Sequence, residues 1–197
     1  MKNVITTTCN IGIFNVIKYY KKTKSTQIIL KNFANSGYKE GLVVVAEQQT
    51  MGYGRNGNTW SSSIGGAWFS ILLKPKINPR DTKDLLILLS IAIKNILEKI
   101  YHLDCEMKWP NDVLIYGKKI AGSMIEMEIE ETTKEIKWAV AGIGINVNND
   151  LPEELLATAI SLKRVIKQTI NIYDIIIYFI SEFTNLYTRF QKSHQIK

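Results

Sequence analysis

Gly52-Tyr53-Gly54-Arg55-Asn56-Gly57-Asn58-Thr59-Trp60 follows a short apolar run, Leu42-Val43-Val44-Val45-Ala46, which is bounded by Gly41. The run is β-branched and unbroken, so it reads as a buried strand. Three glycines within six residues cannot be a helix interior, where each costs about 1 kcal/mol relative to alanine. They suit a loop pressed against a ligand, with its backbone N–H groups turned toward anionic oxygens. Arg55 adds a permanently charged planar donor fork suited to carboxylate or phosphate. The stretch reads as an anion-binding loop.

Taken literally, Gly52–Gly57 also spells G-x-G-x-x-G. The dinucleotide-binding fingerprint, however, needs its glycines to open a helix directly after the strand, with an acidic residue about 20 positions on. Here Glu47-Gln48-Gln49-Thr50-Met51 intervene, and the next acidic residue is Asp81. That reading is set aside. On the glycines alone, a plain surface loop stays open.

Composition narrows the class. A chain of 197 residues, 46% hydrophobic and 22% charged, suits one globular domain with a real core, or one domain with a small appendage. No apolar run reaches the ~18 residues of a membrane span. Met1-Lys2-Asn3-Val4-Ile5-Thr6 lacks the pattern of a secretory leader, so a cytoplasmic protein is expected. Cys9, Cys105, His102 and His194 have no metal-ligand spacing, and no protein-held metal site is expected. The formal charge of +7 favours anionic partners such as nucleotide. Its lysines and arginines are scattered, with no arginine-rich arm, so neither nucleic acid beyond a nucleotide nor a membrane is expected as partner.

Outward from the loop, residues 11–20 read as an opening strand. Ser25 is placed to cap a helix over about 26–36 that ends at Gly37. A strand over 67–73 is closed by Pro75 and Pro79. Leu85, Leu86, Leu89, Ala92, Ile93, Ile96 and Ile100 mark an amphipathic helix over 82–100. Cys105–Tyr116 reads as strand, turn, strand, with Pro110 forcing a turn that carries Asn111 and Asp112. Gly117-Lys118 is a hairpin turn leading into a strand to about Ile129. Residues 130–135 make a charged turn, and 136–147 return as a strand ending in Gly142-Ile143-Gly144-Ile145-Asn146. A short helix near 151–157 and a long one over about 173–191 complete the chain. The class is α+β, a mixed, mostly antiparallel sheet with helices packed on it.

In order along the chain, six pieces resemble the catalytic domain of biotin protein ligases. They are Ser25-Thr26-Gln27, Ala46-Glu47-Gln48-Gln49-Thr50, Gly52-x-Gly54-Arg55-x-Gly57-x-x-Trp60, Lys108-Trp109-Pro110-Asn111-Asp112, Lys119-Ile120-Ala121-Gly122 and Gly142-Ile143-Gly144-Ile145-Asn146. The resemblance spans about residues 14–190. It implies a fold like that of class II aminoacyl-tRNA synthetases. It also implies ATP, biotin and Mg2+ as reactants and a biotin carboxyl carrier protein as acceptor. By the same resemblance, Arg55 and Lys119 bridge the biotin carboxylate and the α-phosphate, and Asp112 orients or deprotonates the acceptor lysine. Ser25, Thr26 and Gln49 hold the ureido ring, beside Gln27. Gly52, Tyr53 and Gly54 supply loop backbone, and Trp60 walls the ligand. Lys108 adds positive charge, Asn111 and Asn146 lie near the nucleotide and its metal, and Gly122 and Gly144 border the site. The glycine loop is expected to order on biotin binding. A homodimer through sheet edges is implied too.

The chain departs from the family at Tyr53, and commonly at Asn58, where the family usually has arginine; fewer cations should weaken anion binding by the loop. The family resemblance also leads to the expectation of one catalytic domain over 1–197, with neither an N-terminal DNA-binding domain nor a C-terminal small β-barrel. Two rivals differ in class: a lipoate or octanoate ligase, and a non-catalytic biotin-binding regulatory module.

Overall fold

The computed structural model describes residues 4–194. The expectations that touch Met1–Asn3 and Gln195–Lys197 (the leader reading and the outer domain limits) lie outside the described residues. Eight strands form one sheet: β1 (Val4–Ile11), β2 (Phe14–Tyr20), β3 (Leu42–Ala46), β4 (Ala67–Leu73), β5 (Glu106–Lys108), β6 (Asp112–Ile115), β7 (Lys118–Ile129) and β8 (Ile136–Ile145). Their order across the sheet is β1-β2-β3-β4-β8-β7-β6-β5. Only β2 and β3 pair in parallel, with α1 (Thr26–Asn35) as the crossover; every other neighbouring pair is antiparallel. The α+β class holds.

Side-chain alternation along the strands gives the sheet two different faces. Val43, Val45, Phe69, Ile71, Ala141, Ile143 and Ile145 point to one of them. This face is covered by α2 (Thr82–Tyr101) and α4 (Ile172–His194), which also pack on each other. Leu85, Leu89, Ala92, Ile93 and Ile96 form the buried stripe of α2. Each such leucine or isoleucine contributes about 1.5–3 kcal/mol by leaving water. Phe179, Phe183 and Tyr187 of α4 stack in series against Phe14 and Phe69.

The opposite face is covered only in part. Val44, Leu72 and Val140 pack against Leu30 and Ala34 of α1. Further along the same strands the side chains become Ser70, Gly142 and Gly144, and there the face opens into a cavity.

Several boundaries differ from the sequence reading. The opening strand over 11–20 is a hairpin, β1 and β2 turning at Gly12, and β1 was not anticipated: its exposed edge carries Thr6, Thr7 and Thr8, with no apolar alternation. The β6–β7 turn is Tyr116-Gly117, both left-handed, and Lys118 already belongs to β7. The helix expected near 151–157 is a single 3-10 turn, Glu153–Leu155. A short α3 (Leu162–Ile166) follows it.

Candidate active site

The floor of the cavity begins where β2 passes into α1. Ser25, Thr26 and Gln27 are all buried there. Ser25 occupies the N-cap position, but its hydroxyl makes no capping bond, which corrects the expected role. The free N–H of Thr26 instead donates to Gln49 Oε1 at 2.8 Å, so a side chain 23 residues away performs the capping. Thr26 Oγ1 also meets Gln49 Oε1 at 3.1 Å and Ser70 Oγ at 2.8 Å. Ser70 Oγ donates to Gln27 Oε1 at 3.0 Å, and Gln27 Nε2 donates to the Val140 carbonyl at 2.9 Å. Gln49 Nε2 reaches Ser62 Oγ at 2.8 Å, and Ser62 in turn donates to the Trp60 carbonyl at 3.1 Å. A buried polar network so fully connected is rigid, because each broken bond would leave a group unpaired in a low dielectric.

The glycine loop forms a small hairpin above this floor. Trp60 N–H donates to Gly52 O at 2.9 Å, and Gly54 N–H donates to Asn58 O at 2.8 Å. Arg55–Gly57 make one 3-10 turn, with Asn56 left-handed. Trp60 returns beneath the loop and lies flat on the glycines of β8 and β7. A Cβ at Gly144 would stand 2.6 Å from Nε1 and Cε2 of the indole. Trp68, the register partner of Gly144 on β4, meets the indole edge-on at 6.4 Å between centroids. Trp60 Nε1 is buried without a hydrogen-bond partner among the described residues.

The charged groups stand at the rim. Lys119 Nζ lies 2.7 Å from Asp112 Oδ1 and 4.9 Å from the centre of the Trp60 ring. Asn111 Nδ2 donates to the same Asp112 Oδ1 at 3.0 Å and to Ser123 O at 3.1 Å. Arg55 Nη1 donates to Asn111 Oδ1 at 2.7 Å. Two cations, one amide and one carboxylate thus form a continuous chain across the opening.

The cavity, about 320 Å³, brings together Ser25, Thr26, Gln27, Gln49, Tyr53, Gly54, Arg55, Trp60, Asn111, Asp112, Lys119, Gly122 and Gly144 from the sequence-predicted set. A second cavity of about 400 Å³ shares Thr59, Trp60, Asp112 and Lys119 with the first. Lys108 and Asn146 line that second space. The Asn146 side chain accepts a bond from Asn149 Nδ2 at 3.1 Å. Gly52 lines neither cavity. It is packed under the loop, where a Cβ would meet Ser62 Oγ at 2.5 Å and Trp60 O at 2.6 Å.

Ser70, Gly142 and Glu126 were missed. Ser70 had a signal, since it is the one polar residue in the apolar run Ala67–Leu73. Gly142 stands inside a quoted motif. Glu126 had none, because its importance comes from a partner: Tyr53 Oη donates to Glu126 Oε2 at 2.8 Å. Burial alone would push the Glu126 carboxyl up, but hydrogen bonds from Lys31 and Tyr53, the Lys31 charge and a bond from Gln27 outweigh it and hold the group below its ordinary value. Burial, with the Glu126 bond, pushes the Tyr53 phenol well up. Among the described residues, no three His, Cys, Asp or Glu side chains group to hold a metal ion, and no helix is long and apolar enough to cross a membrane.

Comparison with known proteins agrees with this geometry. The bifunctional ligase/repressor BirA of Bacillus subtilis is 39% identical over 157 residues, which cover 78% of this chain and 48% of that protein. The biotin–[acetyl-CoA-carboxylase] ligase of Mycobacterium tuberculosis is 31% identical over 150 residues, 72% of this chain and 52% of that protein. The chain therefore spans about half the length of the curated relatives it matches. Among solved structures, the Aquifex aeolicus biotin protein ligase in complex with biotin and ATP superposes with a TM-score of 0.75 at 29% identity, over 89% of this chain and 72% of that one. The model of the biotin/lipoate A/B protein ligase family matches residues 19–146. With more than half of the chain matched, and with the family's motifs converging on one cavity, this chain belongs to the biotin/lipoate A/B protein ligase family.

Proposed function

We propose that this chain activates biotin with ATP to biotinyl-5'-AMP and then passes the biotinyl group to a lysine of a biotin carboxyl carrier protein. The observation that carries the proposal is the shared wall of the two cavities. Thr59, Trp60, Asp112 and Lys119 border both, so a ligand in each would meet at the Lys119 ammonium. In the first step a biotin carboxylate oxygen attacks the α-phosphorus and pyrophosphate leaves. Two anions must approach, so the barrier falls when fixed cations and donors face the developing charge. Lys119 and Arg55 take that role, and Asn111 holds Arg55 in place.

The floor favours a ureido ring over a purely aliphatic ligand. Its N–H and C=O groups need paired polar partners when buried, and Thr26, Gln49 and Ser70 offer them. Lys108 and Asn146 belong to the nucleotide side. Magnesium arrives with the ATP phosphates as part of the substrate. In the second step the acceptor amine attacks the acyl carbon and AMP leaves. Lys119 and Asn111 both bond Oδ1 of Asp112, which leaves Oδ2 to orient or deprotonate the amine.

A cytoplasmic location and a homodimer paired through a sheet edge belong to the same proposal. β1 and β5 are the edges available. The decisive experiment is pyrophosphate release from the 197-residue chain with Mg-ATP and biotin, with lipoate as control. Biotin-dependent release supports the proposal. Lipoate-dependent release, or tight lipoate binding with none for biotin, replaces it with a lipoate ligase. Biotin binding without adenylation points to a truncated or split enzyme, or to the regulatory module.

A further inference from the structure

Among the described residues, two side-chain hydrogen bonds tie the glycine loop to other elements, and the two ties differ in kind. Arg55 reaches Asn111 at the exposed tip, across the cavity opening. Any anion that engages the Arg55 guanidinium competes with that bond. The other tie is Tyr53, whose hydroxyl donates to Glu126 Oε2 at 2.8 Å. Glu126 lies outside the cavity lining, two residues beyond Met124 on β7, so a ligand in the cavity does not meet the acceptor of this bond. Its second oxygen, Oε1, accepts from Lys31 Nζ of α1 at 2.8 Å. The same ammonium stands 6.0 Å from the centre of the Tyr53 ring. Helix, strand and loop meet at one carboxylate.

We infer that Tyr53 is a positioning residue: with Glu126 and Lys31 it forms a latch that holds the glycine loop over the cavity before ligand arrives. The chemistry suits a latch that opens at modest cost. A neutral phenol donating to a carboxylate gives a short charge-assisted bond, and the tie is directional. The Lys31 pair keeps the carboxylate fixed and charged, so the acceptor does not move when the loop does. The hairpin bonds at Gly52 and Gly54 flank Tyr53 on either side, so closure at Tyr53 fixes the height of Gly54 and Arg55 over the floor. The catalytic consequence rests on the function proposed above; the mechanical one does not.

The test is tryptic cleavage after Arg55 in the ligand-free full chain, compared with cleavage after Lys134 in the exposed 130–135 turn as internal control. When reclosing is faster than cleavage, the rate reports the open population. Tyr53→Phe keeps the ring and removes only the donated bond. It is expected to speed Arg55 cleavage by about five- to tenfold, a typical loss for one such bond, with Lys134 unchanged. Glu126→Ala should match it, and the double variant should be no faster than the faster single variant. Equal rates in wild type and Tyr53→Phe, or single effects that multiply in the double variant, overturn the latch. In the biotin-dependent pyrophosphate assay, Tyr53→Phe should raise KM for biotin more than it lowers kcat. A fall confined to kcat overturns the positioning role. Because the cleavage readout uses no biotin, it stands or falls separately from the ligase proposal.

Discussion

Gly144→Ala is a single added methyl group whose effect can be worked from the coordinates. The new Cβ would stand 2.6 Å from Nε1 and Cε2 of Trp60 and 2.8 Å from Cζ2, where ordinary contact begins at 3.4 Å. The indole must therefore retreat by about 0.8 Å, since repulsion rises steeply below contact distance. Trp68 packs edge-on against it, and Lys119 lies 4.9 Å from its ring centre, so the retreat is toward the cavities it walls. Overpacking of this kind costs about 1–3 kcal/mol. At 2–4 °C per kcal/mol for a domain of this size, Tm should fall by roughly 2–12 °C. A wall displaced by more than about 0.5 Å also spoils the ligand geometry, and biotin affinity should fall on the order of tenfold. Thermal unfolding and titration calorimetry with biotin measure the two effects. The controlling comparison is Trp60→Leu, which removes the indole. In that background Gly144→Ala should be nearly neutral, because the coupling between touching side chains is lost. A Gly144→Ala protein destabilised by less than about 0.5 kcal/mol, or an undiminished cost in the Trp60→Leu background, would refute the packing argument.

Other outcomes follow from the same geometry. Lys119→Ala should cut biotin-dependent pyrophosphate release by about 100-fold or more while calorimetry still shows biotin binding; an unimpaired variant removes Lys119 from the chemistry. Ser70→Ala takes away the hydroxyl that joins Thr26 to Gln27 and should cost about 1–3 kcal/mol in denaturant unfolding. Burial, chiefly, pushes the Cys105 thiol up to about 11. At pH 8 almost none of it is thiolate, so iodoacetamide should label Cys105 only in denaturant. The Glu126 carboxyl, held below its ordinary value of 4.5 by Lys31 and Tyr53 against the cost of burial, stabilises the fold above that value. The contribution is lost as pH falls through the folded-state pKa. The Tm gap between wild type and Glu126→Gln should accordingly be constant at neutral pH and close in acid; a gap that survives at pH 2 counts against the charge being responsible.

Much of this protein is written locally. The buried strand 42–46, the amphipathic helices beginning near residues 26, 82 and 172, and the turn at Pro110 all follow from periodicity, proline and glycine within a few residues. The motif order is local too, but only the family resemblance, and no spacing rule, grouped Gln49, Arg55, Asn111, Asp112 and Lys119 into one site. What failed locally was weakly patterned. β1 is a polar edge strand that has no need to alternate, and α3 spans five residues, too few for a period to show.

The tertiary structure decided which atoms meet. Gln27 bonds to a carbonyl 113 residues away, and Tyr53 finds its acceptor 73 residues on. No spacing rule spans such distances, because they depend on strand order and on a register that sets which face each side chain takes. That register puts Ser70, Gly142 and Gly144 on the open face, seats Trp60 against Gly144, and turns Glu126 toward Tyr53. The sequence determined that a glycine loop and the cations Arg55 and Lys119 exist; the folded sheet decided how high the loop stands above its floor, and which side chains it meets there.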